Sequence, residues 1–104
     1  MYYVHAEVLR WVDDEWPGRV QVRLTESDGT AAMLVDKVPI FDADDRLEPG
    51  TDLPMGIEIP CDLLDWTPDQ DGKRTARVRL HFHLEDQDGR TIFNVTEGAL
   101  VQRS

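Results

Sequence analysis

Apolar and polar residues alternate along most of this chain. In "YYVHAEVL", Val4, Ala6 and Val8 share one face, and His5 and Glu7 share the other. In "RVQVRLT", Val20, Val22 and Leu24 oppose Arg19, Gln21 and Arg23. "TARVRLHFHLE" sets Ala76, Val78, Leu80, Phe82 and Leu84 in one row, with Arg77, Arg79, His81, His83 and Glu85 between them. A period of two marks a strand with one buried face. A helix would keep Leu80 near Leu84 but scatter Val78 and Phe82 onto other sides.

Turn residues separate these runs. "SDG" stands at 27–29, "DQDG" at 69–72 and again at 86–89, and "WPG" at 16–18. Asp-Gly supplies the positive φ that tight hairpins require. The pattern predicts one hairpin from strands 19–25 and 30–38, and a second from strands 74–85 and 90–95. A further strand, about 55–64, carries Met55, Ile57, Ile59, Cys61 and Leu63 on one face. Pro54 and Pro60 flank or interrupt it. Proline has no N–H for a ladder, which predicts an edge strand or a bulge there.

No segment reads as a long helix. The stretch 42–53 is polar and ends in Pro-Gly, predicting a surface loop with at most one helical turn near 43–47. The tail "TEGALVQRS" adds a last short strand or turn. A sheet of short strands without helices must curl to cover its own apolar face. The expected fold is all-β: a small, partly open antiparallel barrel of five or six strands, comparable in size to OB and SH3 barrels. At 104 residues it forms one domain, 1–104.

Charge narrows the functions available. The chain has 21 acids against 11 bases, a net charge of −10. Such a surface repels nucleic-acid phosphates and anionic membranes, so neither is an expected partner. It suits a basic protein partner, and it also suits plain solubility. The one cysteine, Cys61, cannot form an internal disulfide. The N-terminal "MYYVHAEVLR" lacks the basic region and long apolar run of a signal peptide, and no stretch reaches the length of a membrane span. The expected location is the cytoplasm.

The candidate chemistry is sparse. On a continuous strand His81 and His83 would put both imidazoles on one face about 7 Å apart. With His5 as a third ligand and Glu7 or Glu85 nearby, they would make a metal-binding barrel or a metal-dependent enzyme. Against this, Arg77 and Arg79 share that face and disfavour a cation. Strict alternation also places the histidines where any polar residue would fall, opposite acids on a neighbouring strand. A second possibility is anion recognition. It requires the strand bearing Arg19 and Arg23 to lie beside the strand bearing Arg77 and Arg79.

The acidic turns do not match a calcium loop. One ending its first half at Gly72 would need acids at Thr67 and Val78, and one at Gly89 would need them at Leu84 and Val95. Cys61 lies among apolar neighbours and reads as a buried, inert thiol. Neither serine, Ser27 or Ser104, sits in a nucleophile motif, and there is no phosphate loop. No cofactor is implied.

Trp11, Trp16 and Trp66 fall near strand ends. There they either plug the barrel or anchor a partner. "VDKVPIFDADD", residues 35–45, runs from an apolar strand into Pro39, Ile40 and Phe41, and then into acids. Phe41 is suited to closing a barrel end. With the "TEG" segment at 96–98, this string resembles small bacterial β proteins of uncharacterised activity that carry a DKVPIF-type segment. That resemblance implies a similar small β fold and brings no functional residue.

The reading these features favour is a non-enzymatic interaction module or inhibitor with a basic partner. Small acidic immunity proteins are one example of such a role. Asp13, Asp14, Trp16, Asp42, Asp44 and Asp45 would form its contact surface. The alternatives are the metal barrel built on His5, His81 and His83, a small-molecule carrier using the barrel mouth, and a structural part of a larger complex. A homo-oligomer is compatible with the sequence, but no feature of it supports one.

Overall fold

A computed structural model describes residues 1–13, 15, 18–41, 52–68 and 72–103. The chain forms β1 (Tyr2–Asp13), β2 (Arg19–Thr25), β3 (Ala31–Lys37), the one-turn helix α1 (Val38–Phe41), β4 (Met55–Pro68), β5 (Arg74–Leu80), β6 (Ile92–Thr96), a 3₁₀ turn (Glu97–Ala99) and β7 (Leu100–Gln102). The sheet order is β3-β2-β1-β4-β5-β6, all neighbours antiparallel, and β7 pairs with the start of β1. Three consecutive strands followed by a fourth that returns beside the first make a Greek key. The sheet curls into a half-barrel, so the expected all-β, partly open barrel is the fold.

Alternation builds the core directly. The inward residues Val4, Ala6, Val8, Val20, Val22, Leu24, Ile57, Ile59, Ala76, Val78, Phe93 and Val95 are buried, and the residues between them face outward. β1 is long because it serves several neighbours. Tyr2–Val8 pairs with β4, Glu7–Asp13 with β2, and Tyr2–Val4 with β7. Register shifts at Val8/Arg10 and Trp11/Asp13 are the bulges that let one strand bend between two parts of a curled sheet.

The apolar stretch beginning at Val38 turns helical for four residues. Pro39 cannot continue a ladder, but it fits the first turn of a helix, where its missing N–H is not needed. The turn drops Phe41 into the core at 5% exposure. The helical turn expected near 43–47 lies outside the described residues.

The proline strand meets one of its two expected forms: it carries a bulge, at the Leu63/Asp65 register shift against β5. β4 is an interior strand between β1 and β5, not an edge. Pro60 is tolerated because of where its nitrogen faces. Its carbonyl accepts the His81 N–H at 3.0 Å, so its backbone groups point toward β5 and the β1 ladder loses nothing. On the β5 side the ladder ends one pair earlier, at Cys61–Leu80. The His81 carbonyl, which a residue with an N–H at position 60 would bond, accepts the Leu84 N–H instead at 3.4 Å.

Candidate functional site

The missing donor at Pro60 releases the chain after β5 from its ladder with β4 and shapes the most distinctive region of the surface. Residues 81–84 form a tight turn in which Phe82 has φ 64° and His83 has φ 55°. Both are left-handed, a region that side chains other than Gly, Asn and Asp rarely occupy. This overturns the expected strand 74–85. Phe82 does not continue the buried apolar row; it is 56% exposed. Leu84 re-enters the core at 1% exposure. His81 Nε2 lies 3.0 Å from Asp62 Oδ1 across the strands, and its ring meets Phe82 edge-to-face at 6.2 Å.

The same turn separates the histidines. His81 stays on the outer face of β5, and His83 is carried off it, exposed. His5 lies beyond β4 on β1, opposite Glu58, with its Nε2 4.0 Å from a Glu58 oxygen. Among the described residues no three His, Cys, Asp or Glu side chains come together as a metal site. The shared face that would make His81 and His83 co-ligands does not exist.

The anion arrangement fails on topology, because β1 and β4 stand between β2 and β5. The arginines instead meet local acids: Arg77 with Asp65 at 2.7 Å and Arg23 with Glu7 at 2.8 Å. Arg74 bonds Glu97 at 2.8 Å and stacks over Trp66 at 4.0 Å, and Arg103 bonds Glu58 at 2.7 Å. Trp11 and Trp66 pack on the core, so both act from strand ends as plugs. Cys61 is 2% exposed, and burial together with the adjacent Asp62 pushes its thiol up to about 11. An activated nucleophile requires the opposite shift.

A clasp missed by the sequence reading closes the barrel beside the Phe82 turn. Asp86, whose side chain is fully buried, accepts the Asp88 N–H at 3.0 Å, the Arg90 N–H at 2.8 Å and the Arg90 Nε–H at 2.9 Å. Arg90 also reaches Glu26, in the β2–β3 turn, and lies over the Phe93 ring at 5.3 Å. The Ser27 N–H donates to the Asn94 carbonyl, Leu34 bridges to Asp86, and Gln87 accepts the Met33 N–H at 2.9 Å. These contacts join the two edge strands, β3 and β6, through loops instead of a continuous ladder. The second "DQDG" was legible as a turn, but its role as a buried ionic tie was not.

Charge is unevenly spread. Cross-strand rows Asp13–Arg19–Lys37, Arg10–Gln21–Val35 and Glu7–Arg23–Met33 cover the outer face of β1, β2 and β3. Arg10, Arg19, Arg23 and Lys37 against Glu7 and Asp13 give that face a net charge of +2. The clasp end has the opposite sign. Glu26, Asp28, Asp62, Glu85, Asp86 and Asp88 against Arg79 and Arg90 leave −4. Of the acids expected at a contact surface, Asp13 is half-buried at the end of β1, opposite Arg19. Asp14, Trp16, Asp42, Asp44 and Asp45 lie outside the described residues.

Comparison with protein-family models, with curated proteins and with solved structures gives no match. Among the described residues, no helix is long and apolar enough to cross a membrane.

Proposed function

We propose that this chain is a non-enzymatic protein-interaction module or inhibitor that acts in the cytoplasm on a basic protein partner. The supporting observation is the disposition of charge. Five arginines (Arg23, Arg74, Arg77, Arg90 and Arg103) are each tied to a carboxylate of the domain itself. The chain as a whole keeps a net charge of −10, and among the described residues the excess of acids lies at the clasp end and not on the β1–β2–β3 face. A field of this kind steers a cationic partner and orients it before contact.

The test is kinetic. A basic protein captured by the chain is mixed with the wild type and with a variant in which Asp13, Asp14, Asp42, Asp44 and Asp45 are replaced by Asn. The expected result is slower association of the variant, with the difference shrinking as salt rises. Equal association rates at low salt remove these acids from the interface. A partner of acidic or neutral charge overturns the reading.

A further inference from the structure

We propose that the turn His81–Leu84 is the docking element for that partner, with Phe82 as an apolar anchor entering a cleft rimmed by Lys or Arg. The inference rests on the basic-partner reading and adds the place and chemistry of the contact.

Three independent features converge on Phe82. The first is its backbone: it is left-handed, with φ 64°, where a bulky side chain is disfavoured and Gly or Asn is at ease. The second is its exposure. At 56% it gains little burial within the domain to offset that conformation. A local rule broken with no compensation inside the fold points to a role outside it. The third is its support. His81 is fixed to Asp62 at 3.0 Å and abuts the Phe82 ring edge-to-face, and Leu84 pins the far side of the turn in the core. The aromatic is thus presented in a set direction, and a preorganised anchor loses less freedom on binding.

Charge names the occupant. Of the six carboxylates at the end of the barrel that displays Phe82, Glu26 and Asp86 are buried against Arg90, and Asp28, Asp62, Glu85 and Asp88 are exposed, with Glu85 directly after the turn. An apolar anchor inside an acidic rim complements a cleft with a cationic rim, and a cation can also rest on the Phe face. A second copy docked through the same end would bring like charge to like charge, and the net −10 of each chain opposes its approach as a whole.

Two measurements on the full chain test this. Thermal melting compares wild type with Phe82→Asn. The expected melting temperature is unchanged or a few degrees higher, since Asn accepts the left-handed region. A clear fall would make Phe82 a packing residue and overturn the proposal.

The second measurement titrates isotope-labelled protein, at low ionic strength, with a peptide alternating Lys and Leu and with a Lys–Gly peptide of equal length. The Lys–Leu peptide should shift resonances centred on 81–91 and bind more tightly. Phe82→Asn should weaken it by roughly tenfold or more. If Lys–Leu binding persists unweakened in Phe82→Asn, or maps elsewhere, the docking proposal fails while the basic-partner reading stands. If neither peptide binds, both fail. A Phe82-dependent dimer seen by sedimentation would also overturn the proposal, by making a second copy the occupant.

Discussion

Gly18 is restricted to glycine by two separate constraints. Its φ is +78°, and a Cβ there would stand 2.7 Å from Cζ3 of the Trp11 ring, which is packed on the core. Gly18→Ala should therefore cost about 2–4 kcal/mol, combining left-handed strain with overpacking, read as a fall in denaturant midpoint. Asp86 is the second residue on which much depends. Burial pushes its carboxyl up, but the Arg90 and Asp88 amides and the Arg90 guanidinium outweigh burial and hold it below the ordinary 3.8. A depressed carboxyl contributes stability that is fully present above the ordinary value and is lost as pH falls through the lower, folded one. Equilibrium unfolding between pH 7 and pH 2 should show this loss below about pH 4 in the wild type. Asp86→Ala should lose about 3 kcal/mol at neutral pH and show a shallower acid limb. The sequence held the clue to one of these residues only. "WPG" signals a glycine turn at 18, and Cys61 among isoleucines signals a buried thiol. Nothing local marks Asp86 as buried: its hydrogen-bond partners Asp88 and Arg90 are close in the chain, but the strand it bridges at Leu34 and the Glu26 that shares Arg90 with it come from far along the sequence.

At the scale of elements, β2 and β3 follow from alternation and a Ser-Asp-Gly turn, and their observed bounds fall within a residue of the expected ones. The strand 74–85 was misread for a long-range reason. Its end is set by Pro60 on the neighbouring strand, which a period-two pattern in 74–85 cannot register. Phe82 therefore looked like a core residue, and the exposed anchor of the candidate site was hidden inside the clearest strand signal in the chain. The same blindness left the edge and the bulged strand as equal readings of β4, since the direction in which a proline nitrogen faces depends on the partner register; the strand is interior and bulged. Closure through the clasp has a measurable consequence. In Asp86→Ala, the Ser27 and Met33 amides, which bond the closing loops, should exchange hydrogen much faster. Amides in the β1–β4 ladder should speed up only as far as the loss of global stability dictates, so the barrel opens at the β3–β6 seam first. Uniform acceleration across the sheet would mean that the clasp is part of one indivisible unit.

For the whole molecule, net charge and fold class were legible from composition and periodicity, but the distribution of charge was not. Strand order decides it: β2 beside β1 and β3 gathers Arg10, Arg19, Arg23 and Lys37 on one face, and among the described residues acids outnumber bases at the clasp end. Under the proposed function, this difference in sign between the described face and the clasp end would turn the clasp end toward a cationic partner before contact. The most direct measurement is native mass spectrometry on the chain captured, at low salt, from a lysate of its own source cells. A complex of the 11.9 kDa chain with a basic protein, released as salt is raised, is the expected result. Recovery of the bare chain, or of a complex with an acidic protein that salt does not disturb, would contradict the account.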